Sequence, residues 1–323
     1  MAATLTAQQL SVLSKTKEII SEVKKVIIGK DETIIKVLVA IFSGGHILIE
    51  DIPGVGKTTL ALALSKALSL DYKRLQFTPD VLPTDVTGYS IFNRQTGAFE
   101  YREGTAYCNL FLADEINRTS SKTQSALLEI MEEGKVTVDG ITRAMPDPYV
   151  VIATQNPVGS IGTQMLPESQ LDRFIIRIKM GYPSFDSEVA MLKSKNQSVG
   201  LDSVCAVMDS EQILFAKKII DDIYVSDKVF AYIAQLAGAT RENPYIALGL
   251  SPRGTIALTR TAKTTALLRG RDYVLPDDVI YMFKDVAEHR ILLSPKAKIN
   301  DIKASYVLDE LVRGVEIPKI SKE

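Results

Sequence analysis

The chain has 323 residues, enough for about two domains of ordinary size. Its 46% of hydrophobic residues is typical of a protein with a well-buried core, and its net charge of −1 argues against a protein whose main task is to coat nucleic acid. Cys108 and Cys205 lie far apart without metal-like spacing, and the N-terminus lacks the layout of a signal peptide, so we expect two small core cysteines in a cytoplasmic protein.

The N-terminal part of the chain is predicted to be helical. Apolar residues recur at helical spacing over residues 5–25 and again over Asp31–Phe42. The apolar run IIKVLVAIF in the second of these segments is too short to cross a bilayer, so no membrane segment is expected. Between the two helices lies an apolar patch that includes Ile27, Ile28 and Gly29. It could be ordinary core, or it could be the apolar wall against an adenine ring, and the residues alone favour neither.

The most informative stretch is Ile47–Leu70, in which a short strand runs into a Pro/Gly turn and then into an apolar helix. Such a turn at a helix N-terminus is an anion cradle, because backbone N–H groups converge there and the helix dipole adds partial positive charge. The phosphate-binding pattern G-x-x-x-x-G-K-S/T is matched except at its first glycine, where this chain has Asp51. In preference to a plain turn, we predict a nucleotide cradle formed by Pro53, Gly54, Val55, Gly56, Lys57, Thr58 and Thr59.

Two hairpins are predicted to interrupt the α/β part of the chain. The first follows a strand at Tyr72–Phe77 and turns at Asn93–Gly97, between Ile91-Phe92 and Phe99-Tyr101. The second turns at Asp139-Gly140. Hairpins of this kind are more often decoration than function, although protruding loops are where partners and substrates tend to dock.

A second buried strand, Asn109–Glu115, ends in two adjacent carboxylates. Ligands of parallel α/β sheets bind at the carboxyl ends of the strands, so Asp114 is predicted to support a Mg²⁺ ion together with the Thr58 hydroxyl. Glu115 is predicted to polarise the attacking water, in preference to a solvated pair that caps the next helix. A further strand, Tyr149–Ala153, is followed by Asn156, which could hold that water, touch the γ-phosphate or be a turn residue before proline.

Two arginines complete the candidate site. Arg173 lies at the end of a short predicted helix, Leu166–Phe174, and could be an ordinary surface arginine or an arginine finger that offsets charge on a transferring phosphoryl group. From Gly181-Tyr182-Pro183-Ser184 onward the pattern predicts helices only. One of them opens with Ser251-Pro252, in the favoured order of cap and first-turn proline, and Arg253 then projects from its first turn.

Together these residues resemble the MoxR family of AAA+ ATPases over almost the whole chain. The matching segments are VIIGKDE, EDIPGVGKTTLA, LQFTPDVLPTDVTG, LFLADEINR, LLEIMEEGKVTVDG, VIATQNP, LPESQLDRF and SPRGTIALTRTAK. The resemblance implies a P-loop α/β domain with a parallel sheet and hairpin inserts over residues 1–181, followed by an all-α helical lid over residues 182–323. Aspartate at the first glycine position is common in this family.

The resemblance also implies ATP and Mg²⁺ as ligands and a role for each polar residue. Lys57, Thr58, Asp114 and Glu115 are implied as the Walker residues, Asn156 as sensor one, Arg253 as sensor two, and Arg173 as the finger that acts on a neighbour's nucleotide. The family implies a ring, usually of six subunits, that hydrolyses ATP for chaperone-like remodelling or maturation of protein complexes, often with von Willebrand A-domain partners.

Three alternatives stay open at this stage. A chelatase-like motor subunit for metal insertion is a variant of the remodelling function. A nucleic-acid motor or loader is disfavoured because the chain lacks a Lys/Arg-rich stripe for phosphate contacts. An adaptor that binds ATP as a switch without turnover is disfavoured because both carboxylates are present.

Overall fold

A computed structural model describes residues 5–156, 166–195 and 200–319 of the chain. Pro157 of the quoted VIATQNP segment and residues 320–323 lie outside these ranges. In chain order, the elements up to residue 178 are α1 (Ala7–Lys24), α2 (Asp31–Phe42), β1 (His46–Glu50), α3 (Lys57–Ala67), β2 (Tyr72–Gln76), α4 (Pro83–Thr87), β3 (Gly88–Asn93), β4 (Ala98–Glu103), β5 (Leu110–Asp114), α5 (Ser121–Glu133), β6 (Lys135–Val138), β7 (Ile141–Ala144), β8 (Val150–Gln155), α6 (Glu168–Leu171) and β9 (Phe174–Ile178).

The rest of the described chain is mostly helical. Its elements are α7 (Phe185–Lys195), α8 (Ser210–Asp221), α9 (Asp227–Glu242), β10 (Ile246–Leu248), α10 (Pro252–Leu268), α11 (Pro276–Ala287), β11 (Leu292–Leu293), α12 (Pro295–Ile299) and α13 (Ala304–Gly314). The expectation of helices only was wrong, because β10 and β11 pair as a small antiparallel sheet. Strands of three and two residues are too short to show alternation in a sequence.

The central sheet has the strand order β2-β5-β8-β1-β9, and all of its pairings are parallel. All five strands therefore end on the same side, which we call the carboxyl edge, and begin on the opposite side, which we call the amino edge. A strand of five residues spans ~16 Å, so groups beyond the two edges are well separated. This geometry confirms the predicted parallel α/β domain followed by a helical lid region.

Side chains of the sheet alternate between two apolar layers. Ile47 and Ile49 of β1 join a large cluster with the N-terminal helices and the lid helices, whereas Leu48 joins a second cluster with α5. The same alternation divides Leu112 from Phe111 in β5. Because full burial of a large aliphatic side chain contributes ~1.5–3 kcal/mol, a register slip of one residue would be very costly.

Both predicted hairpins are present. β3 pairs with β4, and β6 pairs with β7 across a turn in which Asp139 and Gly140 have φ of 51° and 76°. Two consecutive residues with positive φ define the type I′ turn that the Asp-Gly pair predicts. Phe92 and Phe99 face each other on the first hairpin and are 54% and 75% exposed.

The two cysteines behave differently from each other. Cys108 is fully buried, as expected for a small core residue, but Cys205 is exposed, so that half of the prediction was wrong. Cys205 lies in a loop before α8, where its backbone N–H donates to Glu22 while its side chain stays at the surface. Every helix within the described ranges is too short or too polar to cross a membrane.

Candidate nucleotide site

The predicted cradle lies at the carboxyl edge, directly after β1. Gly54 and Gly56 both adopt the left-handed conformation, with φ of 84° and 95°, which side chains with a Cβ rarely tolerate. Gly56 is the N-cap of α3, so the unpaired N–H groups of that helix open onto the loop. Pro53 and Gly54 are exposed at the tip of the loop. This is the backbone arrangement that binds anions at helix N-termini.

Lys57 begins α3 and folds back over the loop. Its Nζ donates to the backbone carbonyl oxygens of Asp51, at 2.8 Å, and Ile52, at 3.3 Å. Burial lowers the pKa of the Lys57 ammonium, while the nearby carboxylates of Asp114, Asp51 and Glu115 oppose that shift. The lysine is therefore a partly desolvated cation next to three carboxylates, and a phosphate oxygen could replace its carbonyl acceptors.

Asp114 ends β5 at the same edge and is buried. Its Oδ1 accepts from Thr154 Oγ1 at 2.6 Å, and its Oδ2 accepts from Arg74 Nη2 at 2.7 Å. Thr154 belongs to the neighbouring strand β8, and its hydroxyl oxygen also accepts from the backbone N–H of Glu115 at 2.8 Å. The Thr154 hydroxyl thus fixes the positions of both carboxylate residues.

Glu115 and Asn156 are brought together, as their place on neighbouring strands predicted. Glu115 has φ of 56°, which turns the chain sharply out of the sheet. Its Oε1 accepts from Asn156 Nδ2 at 3.2 Å, and its Oε2 pairs with Arg118 at 2.8 Å. Asn156 Oδ1 is buried and lacks a hydrogen-bond partner among the described residues. An unpaired buried acceptor beside a carboxylate is suited to hold a water molecule.

The two candidate arginines lie away from the cradle. Arg173 directly precedes β9 and therefore lies at the amino edge. Its Nε pairs with Glu132 Oε2 at 2.9 Å, and Arg253 Nη1 pairs with the other oxygen of Glu132, also at 2.9 Å. The Glu132 position is tied to the same edge by its neighbour Met131, whose carbonyl oxygen contacts His46 Nε2 at the start of β1. The structure brings both arginines together but not to Lys57.

The apolar patch after α1 lies next to α7, the first helix of the lid region. Ile27 is buried in the main core, Ile28 is half-buried, and Gly29 is exposed. Gly29 approaches α7 so closely that a Cβ built on it would lie 2.0 Å from Ser187 Oγ. The core interpretation therefore suits Ile27, while the adenine-wall interpretation stays a prediction for Ile28 and Gly29.

Several polar residues of this region were missed by sequence reasoning. Arg118 and Asn117 fall within the quoted segment LFLADEINR, which was a signal that they lie close to the carboxylates. Thr154 and Glu132 also fall within quoted segments, VIATQNP and LLEIMEEGKVTVDG, whereas Arg74 had only its strand position as a signal. Nothing local indicated the partners of Glu132, because its two arginines are far from it in sequence.

The chain matches two family models. Residues 46–176 match the ATPase family associated with various cellular activities (AAA), and residues 238–311 match the AAA lid domain. These ranges contain the cradle, both carboxylates and both arginines.

Known proteins similar to the chain cover nearly its whole length. It is 47% identical over 299 residues to the uncharacterized protein YeaC of Bacillus subtilis, with 93% of each chain covered. It is 36% identical over 311 residues to the chaperone MoxR1 of Mycobacterium tuberculosis, with 94% of this chain and 82% of that protein covered.

A solved structure agrees with these relationships. The crystal structure of a candidate ATPase from Cytophaga hutchinsonii superimposes with a TM-score of 0.90 at 38% identity and covers 97% of each chain. With these relatives and with the fold and motifs described above, the chain belongs to the MoxR family of AAA+ ATPases and is an ATP-hydrolysing enzyme.

Proposed function

We propose that this protein couples ATP hydrolysis to chaperone-like remodelling or maturation of protein complexes, and that each ATP is held between two subunits of a ring. The proposal of a shared site is supported by the distance between the cradle with its carboxylates and the two candidate arginines. The cradle, Asp114 and Glu115 lie at the carboxyl edge, whereas Arg173 and Arg253 are held by Glu132 at the amino edge. A subunit's own arginines cannot reach its own phosphates across ~16 Å of sheet.

Within the proposed site, the ATP phosphates lie on the N-terminal N–H groups of α3, and Lys57 exchanges its carbonyl acceptors for β- and γ-phosphate oxygens. Glu115 accepts a proton from the attacking water, and Asn156 orients that water through its free Oδ1. Arg173 of the neighbouring subunit offsets the charge on the transferring phosphoryl group. We assign Arg253 to the same side of the interface, because it shares Glu132 with Arg173.

The residues present fit a Mg²⁺ ion. The Thr58 hydroxyl and the Asp114 carboxylate are hard oxygen donors, and Mg²⁺ in ATPases binds through one or two such groups together with phosphates and water. Asp114 is placed for this by Thr154, although its Oδ2 must then leave Arg74. When bound, the ion supplies charge neutralisation on the phosphate oxygens.

The proposal extends to partners and location. On the strength of the family resemblance, we propose a ring of six subunits, a protein client, a von Willebrand A-domain partner and a cytoplasmic location. The relative named chaperone MoxR1 supports the chaperone-like part of this proposal. Free cysteines at both described positions fit a reducing compartment.

The assignment of Glu115 can be tested with Glu115→Gln. The amide cannot accept the proton of the attacking water, so ATP turnover should fall by at least ~10²-fold, while calorimetry should show ATP affinity within about threefold of the unchanged protein. With ATP, this variant should also elute as a larger species than it does without nucleotide, because the shared site holds subunits together. Unchanged turnover, or a monomer in both conditions, would contradict the proposal.

A further inference from the structure

Asp51 occupies the position of the first glycine of the phosphate-binding pattern. Its carboxylate contacts residues both inside and outside the phosphate loop. Its Oδ2 accepts from the backbone N–H groups of Met180, at 2.6 Å, and Gly181, at 2.5 Å. Its Oδ1 accepts from the N–H of Ile52 at 2.8 Å. A side chain of the phosphate loop therefore binds the segment that leads out of β9 towards α7. We call residues 180–182 the linker.

Lys30 binds the backbone carbonyl groups of the same linker, whereas Asp51 binds its N–H groups. Its Nζ lies 2.6 Å from the carbonyl oxygen of Met180, 3.0 Å from that of Gly181 and 2.8 Å from that of Tyr182. These contacts use all three hydrogens of the ammonium group. Lys30 directly follows Gly29, so the second clamp comes from the residue next to the patch that could be core or an adenine wall.

A change in the backbone direction at the linker would move the lid region relative to the sheet. Gly181 has φ of 64°, a conformation that other residues rarely adopt, and it separates β9 from the first helix of the lid region. A further connection runs in parallel: Glu50, the residue before Asp51, pairs with Arg177, which also pairs with Glu288 after α11. The end of β1 is thus joined to the lid region by two routes.

Nucleotide binding would act directly on this arrangement. The backbone carbonyl of Asp51 accepts from Lys57, so movement of Lys57 to a phosphate removes a bond and a nearby positive charge from Asp51. We infer that Asp51 and Lys30 are positioning residues that report nucleotide occupancy to the linker and thereby orient the lid that carries Arg253. This inference rests on the proposed function, because it requires ATP in the cradle.

The inference is tested by hydrogen exchange at the amides of Met180 and Gly181, in the full chain with Glu115→Gln as the parent so that ATP is not consumed. Without the Lys57 charge beside it, the Asp51 carboxylate is a stronger acceptor for these amides, so ATP should slow their exchange by about fivefold or more, the lower end of an allosteric coupling. With Asp51→Gly, which restores the ordinary pattern residue, that ATP effect should disappear although ATP still binds. Asp51→Asn keeps one acceptor oxygen and should retain part of the effect, and Lys30→Met should also reduce it.

Controls separate this role from a general loss of structure. Asp31→Asn removes a neighbouring carboxylate that pairs with Lys24 and not with the linker, so it should leave the ATP effect intact. With Glu115 restored, Asp51→Gly should lower kcat by about fivefold or more while ATP affinity stays within about threefold. An Asp51→Gly chain that binds ATP and still shows the full slowing would overturn the inference, as would a parent that binds ATP without any slowing. A parent that takes up no ATP would instead overturn the proposed function on which the inference rests.

Discussion

At the scale of single residues, Glu132 is the group that decides where the candidate arginines lie. It pairs with Arg173 through one oxygen and with Arg253 through the other. The side chains of Glu132 and Arg253 are 37% and 44% exposed, and ion pairs at such exposed positions contribute ~0–1 kcal/mol to stability. The pairing therefore matters more for the placement of the two cations than for the folding of the chain.

We predict that Glu132→Gln lowers kcat for ATP hydrolysis about tenfold, because the amide holds both arginines less firmly at the boundary. ATP affinity should stay within about threefold, since the cradle lies at the other edge of the sheet, and the free energy of unfolding should change by less than about 1 kcal/mol. Steady-state kinetics, calorimetry and urea unfolding measure these three quantities. The neighbouring exposed Glu133 provides the matched control: equal effects of Glu133→Gln and Glu132→Gln would refute the positioning role.

The residues also show what a sequence can and cannot predict. Glu115 and Asn156 could be placed together because parallel strands bring their carboxyl ends to one edge. The partners of Glu132 and of Asp51 could not, because those contacts join segments far apart in the chain and depend on how the lid packs. Asp51 could be noticed as a departure from the pattern, but its contact with the linker has no local signature.

At the scale of elements, β1 connects the phosphate cradle at the carboxyl edge to the segment that holds the two arginines at the amino edge. His46 begins the strand, and its Nδ1 accepts from the backbone N–H of Val151 in β8 at 3.0 Å. Its Nε2 therefore carries the proton and donates to the carbonyl oxygen of Met131 in α5. One neutral imidazole thus fixes β1, β8 and the end of α5 that carries Glu132. Because burial is nearly complete, the pKa of His46 is lowered to about 4.

This shift predicts a pH dependence of stability. The unfolded chain binds a proton at His46 below pH 6.5 but the folded chain does so only below about 4, so stability is full above 6.5 and is lost as the pH falls between these values. The whole shift corresponds to about 3 kcal/mol. Urea unfolding at several pH values should show a smaller pH slope in this window for His46→Gln than for the unchanged protein. Equal slopes would show that His46 is not the group responsible.

Element boundaries were predictable where a local rule fixes them. The helix Asp31–Phe42 was predicted with its observed ends, and α5 ends before Gly134, whose φ of 61° is the expected C-terminal cap. The short helix Pro83–Thr87 was missed, because five residues within a polar segment show no helical period. The strands β10 and β11 were missed for the same reason of length.

At the scale of the whole molecule, we propose a site that one subunit cannot complete. The cradle of this chain is ready to bind ATP, and its arginines are held at the opposite edge of the same sheet. Arginine fingers contribute ~10³–10⁵ in rate, so a separated subunit should hydrolyse ATP slowly and an assembled ring should be faster. The domain division at residues 181 and 182 stays a proposal, to be tested by expressing residues 1–181 alone.

The most direct test of the shared site mixes two inactive variants. Arg173→Ala keeps a complete cradle but lacks the finger, and Lys57→Ala keeps the finger but cannot engage ATP, so each alone should show little hydrolysis. In a mixture, an Arg173→Ala cradle next to a Lys57→Ala subunit has every group in place, and ATP turnover should recover to a fraction that depends on the mixing ratio. Turnover that stays at the level of the separate variants at every ratio, in mixtures shown to co-assemble, would contradict the shared site.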